Sequence, residues 1–250
     1  MKSRKTLNSR TNTSLSGENV SFFTLEAYKS ARTNIIFAMP GNGCKTVMFT
    51  SSIPREGKTT TCLNTAIVFA QAHYRVLVLD CDLRKPRIHK LLRTNNDVGI
   101  TDVLVGVKQL DDVIKHDKKL NLDYITCGTV PKTPAELLSS DNMREFLYEC
   151  SSRYDYIMID TPPVNMVTDA LVLAPLVTGI FFVARQNYTL REVLKEAISK
   201  FEFVNCPPTG IILNDTSVKR SGKYSGYYKK YYKAGYTNAD ETKEGDDFDA

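Results

Sequence analysis

The sequence predicts an α/β fold: a mainly parallel sheet covered by helices on both faces, between an N-terminal arm and a C-terminal tail without core. Two observations predict it. Six short runs are apolar throughout rather than alternating, as strands buried on both faces must be. Helical patterns separate these runs, which gives the strand–helix order of a three-layer domain.

The elements are taken in chain order. Residues 1–20 are rich in Ser, Thr and Asn and lack periodicity, so they read as a flexible arm. Residues 22–38 carry apolar side chains at helical spacing, with Thr24 as the expected N-cap. Residues 46–51 form the first strand and 58–72 a helix; residues 75–80 (RVLVLD) form the second strand. A third strand is expected over 122–126, and then one helix over 134–151. The run 156–160 (YIMID) is a strand, as are 179–184 and 209–213, with a helix over 190–203 between the last two. Residues 21–218 thus form one domain. The stretch 219–250 has too little aliphatic content to build a core and reads as a mobile tail.

Length and composition agree. A chain of 250 residues, 42% hydrophobic and 24% charged, can bury one sizeable core. Its apolar runs fall short of the roughly 18 residues a membrane helix needs, and the polar, basic N-terminus has no secretory apolar region. Six Cys without C-x-x-C pairing read as reduced, mostly buried thiols of a cytoplasmic protein. The net charge of +5 sits at the ends: +3 over residues 1–20, +6 over 219–236 and −5 over 237–250, leaving about +1 for the body. A nucleic-acid-binding surface would place the excess on the body. The three His are scattered, and neither a zinc spacing nor a Gly-x-Ser-x-Gly elbow occurs.

The chemistry concentrates at three strand ends. Ser52-Ile53-Pro54-Arg55-Glu56-Gly57-Lys58-Thr59 joins a strand to a helix, where a phosphate-binding P-loop belongs. Backbone N–H groups and the helix N-terminus can cradle phosphate oxygens there. Lys58 would reach the β- and γ-phosphates of ATP, and the Thr59 hydroxyl would bind Mg²⁺. Ser52 stands where the usual pattern begins with Gly. Asp80-Cys81-Asp82-Leu83-Arg84 sets two carboxylates beyond the end of another strand, where α/β sheets bind ligands. Asp160, ending the 156–160 strand before Thr161-Pro162-Pro163, has the Walker B placement. Together they predict a P-loop NTPase-type fold using ATP and Mg²⁺.

These three motifs, a Pro-x-Glu-Gly-Lys-Thr loop, an Asp-x-Asp-x-Arg strand end and an Asp-x-Pro-Pro strand end, resemble those of the bacterial tyrosine kinases (BY-kinases). The segment from Glu26 to Asn34 is similar to that family's Glu-x-x-Arg-x-x-Arg helix for ring-shaped self-association. Glu26 and Arg32 match it, and Lys29 replaces the first Arg. Pro134-Ala135-Glu136-Leu137-Leu138 is similar to a further family segment, with Thr133 in place of an Asn. The resemblance implies that ATP is held by Pro54, Glu56, Gly57, Lys58, Thr59 and Thr60, with Asn214 against adenine. It implies Asp80 as the base, Asp82 and Thr59 as Mg²⁺ ligands supported by Asp160, and Arg84 assisting at the phosphates or the substrate.

Six of the 13 tyrosines, Tyr224, Tyr227, Tyr228, Tyr231, Tyr232 and Tyr236, crowd into the basic tail. In this family such a cluster is the autophosphorylation substrate, presented in trans. The resemblance further implies a homo-oligomeric ring, a transmembrane activator of capsular or exopolysaccharide synthesis, an opposing tyrosine phosphatase and no nucleic acid. It places the chain in the cytoplasm, recruited to the inner face of the plasma membrane. A non-kinase P-loop ATPase of the partitioning or septum-site type, positioning DNA or protein, stays open as the alternative; such proteins carry a second Lys at the place of Ile53. A third reading is a nucleic-acid-binding module whose tail stacks on bases.

Overall fold

The computed structural model describes residues 15–16 and 20–216. The chain divides after Asp215, and the fold concerns the residues before that point. The boundary at 219 and the tyrosine cluster lie outside the described residues.

Seven strands make one sheet: β1 (Lys45–Thr50), β2 (Val76–Asp80), β3 (Lys115–Asp117), β4 (Leu122–Ile125), β5 (Tyr156–Asp160), β6 (Gly179–Arg185) and β7 (Gly210–Asn214). Their order is β3-β4-β2-β5-β1-β6-β7. All pairings are parallel except β3–β4, an antiparallel edge that sequence reading missed. β3 escaped notice because Lys115-His116-Asp117 has no apolar run. The pairing of β2 with β5 sets Asp80 opposite Asp160, so two carboxylates end neighbouring strands side by side.

The helices are α1 (Phe22–Ala38), α2 (Lys58–Ala70), α3 (Ile88–Leu91), α4 (Ile100–Leu104), α5 (Leu110–Val113), α6 (Pro134–Leu138), α7 (Asp141–Ser151), α8 (Asp169–Leu173) and α9 (Arg191–Phe203). α1 has the expected limits, but Ser21 caps it rather than Thr24: the Ser21 hydroxyl accepts from the Thr24 N–H at 3.1 Å. The single helix expected over 134–151 is two. The first ends at its C-cap Ser139, and Ser140, in extended conformation, caps the second by accepting from the Met143 N–H. Serine competes for backbone donors in this way, so a Ser-Ser pair favours a new start over continuation.

Side chains alternate across the sheet to fill a core on each face. Val47, Phe49, Val76, Val78, Met158, Phe181 and Val183 meet Leu63 and Ile67 of α2, with Ile35 of α1 behind. Met48, Leu77, Leu79, Ile157, Ile159 and Phe182 share the opposite core with Phe146 and Leu147 of α7 and Phe201 of α9. Leu15 departs from the reading of residues 1–20 as an arm: it is buried, and its N–H donates to Asn64 Oδ1 at 2.8 Å. All six Cys are free thiols, four buried and two partly so, as expected. Among the described residues no helix is long and apolar enough to cross a membrane.

Candidate nucleotide and phosphoryl-transfer site

The loop between β1 and α2 turns through two left-handed residues, Arg55 (φ 70°) and Gly57 (φ 91°). Gly57 is obligatory twice over. Its backbone lies where L side chains are strained, and a Cβ there would collide with the Asn214 side-chain amide. Gly57 caps a 13-residue helix, α2, whose first N–H groups have no acceptor within the helix and face the loop. That is a phosphate cradle built from backbone.

The residues implied as nucleotide contacts divide. Gly57, Lys58, Thr59 and Thr60 form the cradle and the first turn of α2. Glu56 and Asn214 serve as bracing. Glu56 is buried; one carboxylate oxygen accepts from the Ile53 N–H at 2.9 Å and the other from the Thr189 hydroxyl. The Thr189 oxygen in turn accepts from the Arg185 N–H at 2.8 Å. Asn214 donates its amide to the Glu56 carbonyl at 2.9 Å, so it holds the loop from the end of β7. Pro54 accepts from the Tyr188 hydroxyl at 3.2 Å. Sequence reasoning missed Thr189, Arg185 and Tyr188, which sit roughly 130 residues further along the chain and carry no motif.

The acidic strand ends converge on Lys58. Its ammonium lies 2.9 Å from Asp82 Oδ2, 3.3 Å from the Thr59 hydroxyl and 3.4 Å from Asp160 Oδ1. Burial works to lower the Lys58 pKa, but Asp160 and Asp82 outweigh it and hold it raised. Asp80 is fully buried, and its Oδ2 accepts from the Arg87 and Ile88 N–H groups at 2.9 Å each. Its Oδ1 has no partner, nor has Asp160 Oδ2 or the Ser52 hydroxyl. Burial, then the nearby Asp160, pushes the Asp80 pKa up to about 7. Burial pushes Asp160 up to about 6 against the pull of Lys58, with Asp82 raising it further. Three carboxylates thus share one ammonium, with two buried oxygens left over.

This donor set fits a hard divalent cation such as Mg²⁺: oxygen ligands, excess negative charge and orphaned acceptors. Among the described residues no three acidic, imidazole or thiol groups converge as a ready-made cage. Mg²⁺ commonly takes one or two carboxylates and completes its shell with phosphate and water.

Arg84 and the residues of the α1 segment have partners within the chain. Arg84 does not present a free guanidinium at the phosphates. It forms a two-pronged pair with Asp169, 2.9 Å on each arm, and Asp169 is wholly buried at the start of α8. A buried carboxylate demands such a partner, and nothing in the sequence marked Asp169. The residues expected to join subunits are all engaged within the chain: Lys29 pairs with Glu26 at 2.8 Å, and Arg32 donates to the Val68 carbonyl at 2.7 Å, tying α1 to α2.

A family model described as an AAA domain matches residues 55–178. The tyrosine-protein kinase YwqD of Bacillus subtilis is 38% identical over 199 residues, spanning 80% of this chain and 84% of that protein. The tyrosine-protein kinase wzc of Salmonella typhimurium is also 38% identical, over 79% of this chain, which spans only 28% of that longer relative. Among solved structures, the kinase domain of Escherichia coli tyrosine kinase ETK superposes with a TM-score of 0.76 at 35% identity, covering 81% of this chain and 79% of that domain.

Proposed function

Because the chain belongs to the bacterial tyrosine-protein kinases, we propose that it transfers the γ-phosphoryl group of ATP to tyrosine hydroxyls. Its first substrates are Tyr224, Tyr227, Tyr228, Tyr231, Tyr232 and Tyr236 of a neighbouring copy. The observation that carries the reading is Asp80: a buried carboxylate beside the P-loop lysine, aimed by two backbone N–H groups, with one oxygen free and its pKa pushed to about 7. A base poised near neutrality suits removal of a phenolic proton, whose ordinary pKa is about 10.

In this reading the tyrosine proton passes to Asp80 Oδ1, the tyrosine oxygen bonds to the γ-phosphorus and the bond to ADP breaks. Lys58 leaves its contact with Asp82 to meet the β- and γ-phosphate oxygens, and the Gly57, Lys58 and Thr59 amides hold the charge that develops there. Thr59 and Asp82 would hold Mg²⁺, with Asp160 behind them, and the ion would supply positive charge against the phosphates. Arg84 acts through its grip on Asp169, fixing the loop that carries Asp82.

Residues 21–218 would be the kinase domain, 1–20 an arm and 219–250 the substrate tail. The family setting extends to a homo-oligomeric ring through α1, a transmembrane activator that recruits the chain to the cytoplasmic face of the membrane, a phosphatase that resets the tail, and control of capsular or exopolysaccharide synthesis. The test is incubation of the full chain, with and without its activator, in Mg·ATP, and then mass spectrometry. Phosphate should map to residues 224–236 and vanish with Lys58→Met and Asp80→Ala. ATP hydrolysis without phosphotyrosine overturns the reading.

A further inference from the structure

The stretch from residue 84 to 96 carries five cations, Arg84, Lys85, Arg87, Lys90 and Arg93, and no acid. It begins two residues after Asp82 and is anchored to the candidate base itself, because Asp80 Oδ2 accepts from the Arg87 and Ile88 N–H groups. Arg84 is neutralised by Asp169. Lys85, Arg87, Lys90 and Arg93 are exposed, and none has a hydrogen-bonded or ion-pair partner for its side-chain charge among the described residues. Lys115 of β3 adds a fifth uncompensated charge, bonded only to neutral acceptors on Asn95 and Thr126. The acids that face this stretch are Asp80 and Asp82, which accept from the Arg87 and Lys85 N–H groups, Asp169, Glu136 and Asp82, which act on Arg84, and Asp97, which acts on Lys115. His89 registers the local field: burial, then Lys90 and Lys115, hold its pKa below the usual value. Unpaired cations gathered on one side of a site's mouth attract an anion.

We propose that this cationic face is a substrate-docking surface that selects tyrosines with acidic residues on their C-terminal side. The proposal rests on the kinase reading and names its substrate class. Geometry sets the spacing. α3 rises about 1.5 Å per residue, so Lys90 lies about one helical turn from the backbone bonded to Asp80. An extended peptide advances about 3.3 Å per residue; with its tyrosine at Asp80, acids some three to five residues further on come within reach of the Lys85, Lys90 and Arg93 side chains. The chain's own sequence has this pattern: Asp240 and Glu241 come four and five residues after Tyr236. A peptide is favoured over nucleic acid because the cations are hung on the residue that would receive a tyrosine proton, and they occupy one short helix and its flanks rather than a long groove.

The test uses the full chain and two fluorescein-labelled peptides. One has the sequence of residues 224–250; the other has its six acids replaced by Asn and Gln. Anisotropy without nucleotide should show the acidic peptide binding at least tenfold tighter at 50 mM salt, with most of the difference lost at 300 mM. Lys85→Glu/Lys90→Glu, both at exposed positions and expected to leave the melting temperature unchanged, should abolish the preference. In kinase assays it should raise KM for the acidic peptide about tenfold while leaving kcat and the KM for ATP within twofold. Equal binding of both peptides, or a loss in the variant that falls equally on both, overturns the proposal. So does tighter binding of a labelled single-stranded oligonucleotide through the same residues. Phosphorylation of both peptides at equal kcat/KM refutes docking and leaves the kinase reading intact. Discriminating binding without any phosphotyrosine does the reverse.

Discussion

Replacing Asp80 by Asn should make the ligand-free protein more stable at pH 8 while destroying its activity. In the folded protein the Asp80 carboxyl holds its proton to about pH 7, against 3.8 ordinarily, because it is buried and faces Asp160. Between pH 4 and 7 the folded state therefore binds a proton that the unfolded chain has released, and stability falls as pH rises through that window. The difference between 3.8 and about 7 corresponds to about 4 kcal/mol. The substitution removes that burden but weakens the acceptor for the Arg87 and Ile88 N–H groups, a loss of about 1–2 kcal/mol. The net expectation is a gain of about 2–3 kcal/mol at pH 8. At roughly 2–4 °C per kcal/mol for a domain of this size, the melting temperature rises by about 4–12 °C. At pH 5 most of that burden has not yet accrued and the weakened acceptor offsets the rest, so the gain disappears. Urea or thermal unfolding at pH 5, 6, 7 and 8 in EDTA, wild type against Asp80→Asn, measures the difference directly and cancels the titrating groups that do not face Asp80. A stability difference independent of pH, or a less stable variant at pH 8, would refute the argument that Asp80 is held as a strained base.

Other predictions concern the bracing of the loop. Gly57→Ala should cost about 2–3 kcal/mol, from the left-handed backbone and the displaced Asn214–Glu56 bond, and weaken binding of a fluorescent ATP analogue at least tenfold; Asn214→Ala in that background should restore part of both losses by clearing the collision. Thr189→Val should cost about 1–3 kcal/mol in urea unfolding by leaving the Arg185 N–H and a buried Glu56 oxygen unpartnered, whereas Thr189→Ser should cost far less. The Arg84–Asp169 pair should break asymmetrically. Arg84→Ala strands a buried carboxylate and should cost about 3–5 kcal/mol. Asp169→Ala frees a guanidinium whose side chain is already 40% exposed and should cost less; equal losses in unfolding experiments would contradict this account.

The class of fold and the gathering of Lys58, Asp80, Asp82 and Asp160 at one edge of the sheet were legible in the amino-acid order alone. Apolar runs of five or six residues separated by helical patterns suit a parallel sheet covered on both faces, and acids ending such runs then lie at the sheet's carboxyl edge. Lys58, Thr59, Asp80, Asp82 and Asp160 were therefore readable, because each sits at or just beyond the loop that leaves a strand's carboxyl end. Short elements without apolar periodicity, such as β3, were not, and neither was the Ser140 break, where one hydroxyl settles between continuing a helix and starting another. How the site is held depended on tertiary contacts. Glu56 meets Thr189, Arg84 meets Asp169 and Gly57 meets Asn214 across 85 to 157 residues of chain. A buried charge or N–H takes whatever partner the fold brings within 3 Å, and sequence separation carries no information about that distance. The same contacts make Arg84 and Asn214 supports for the loops around the site.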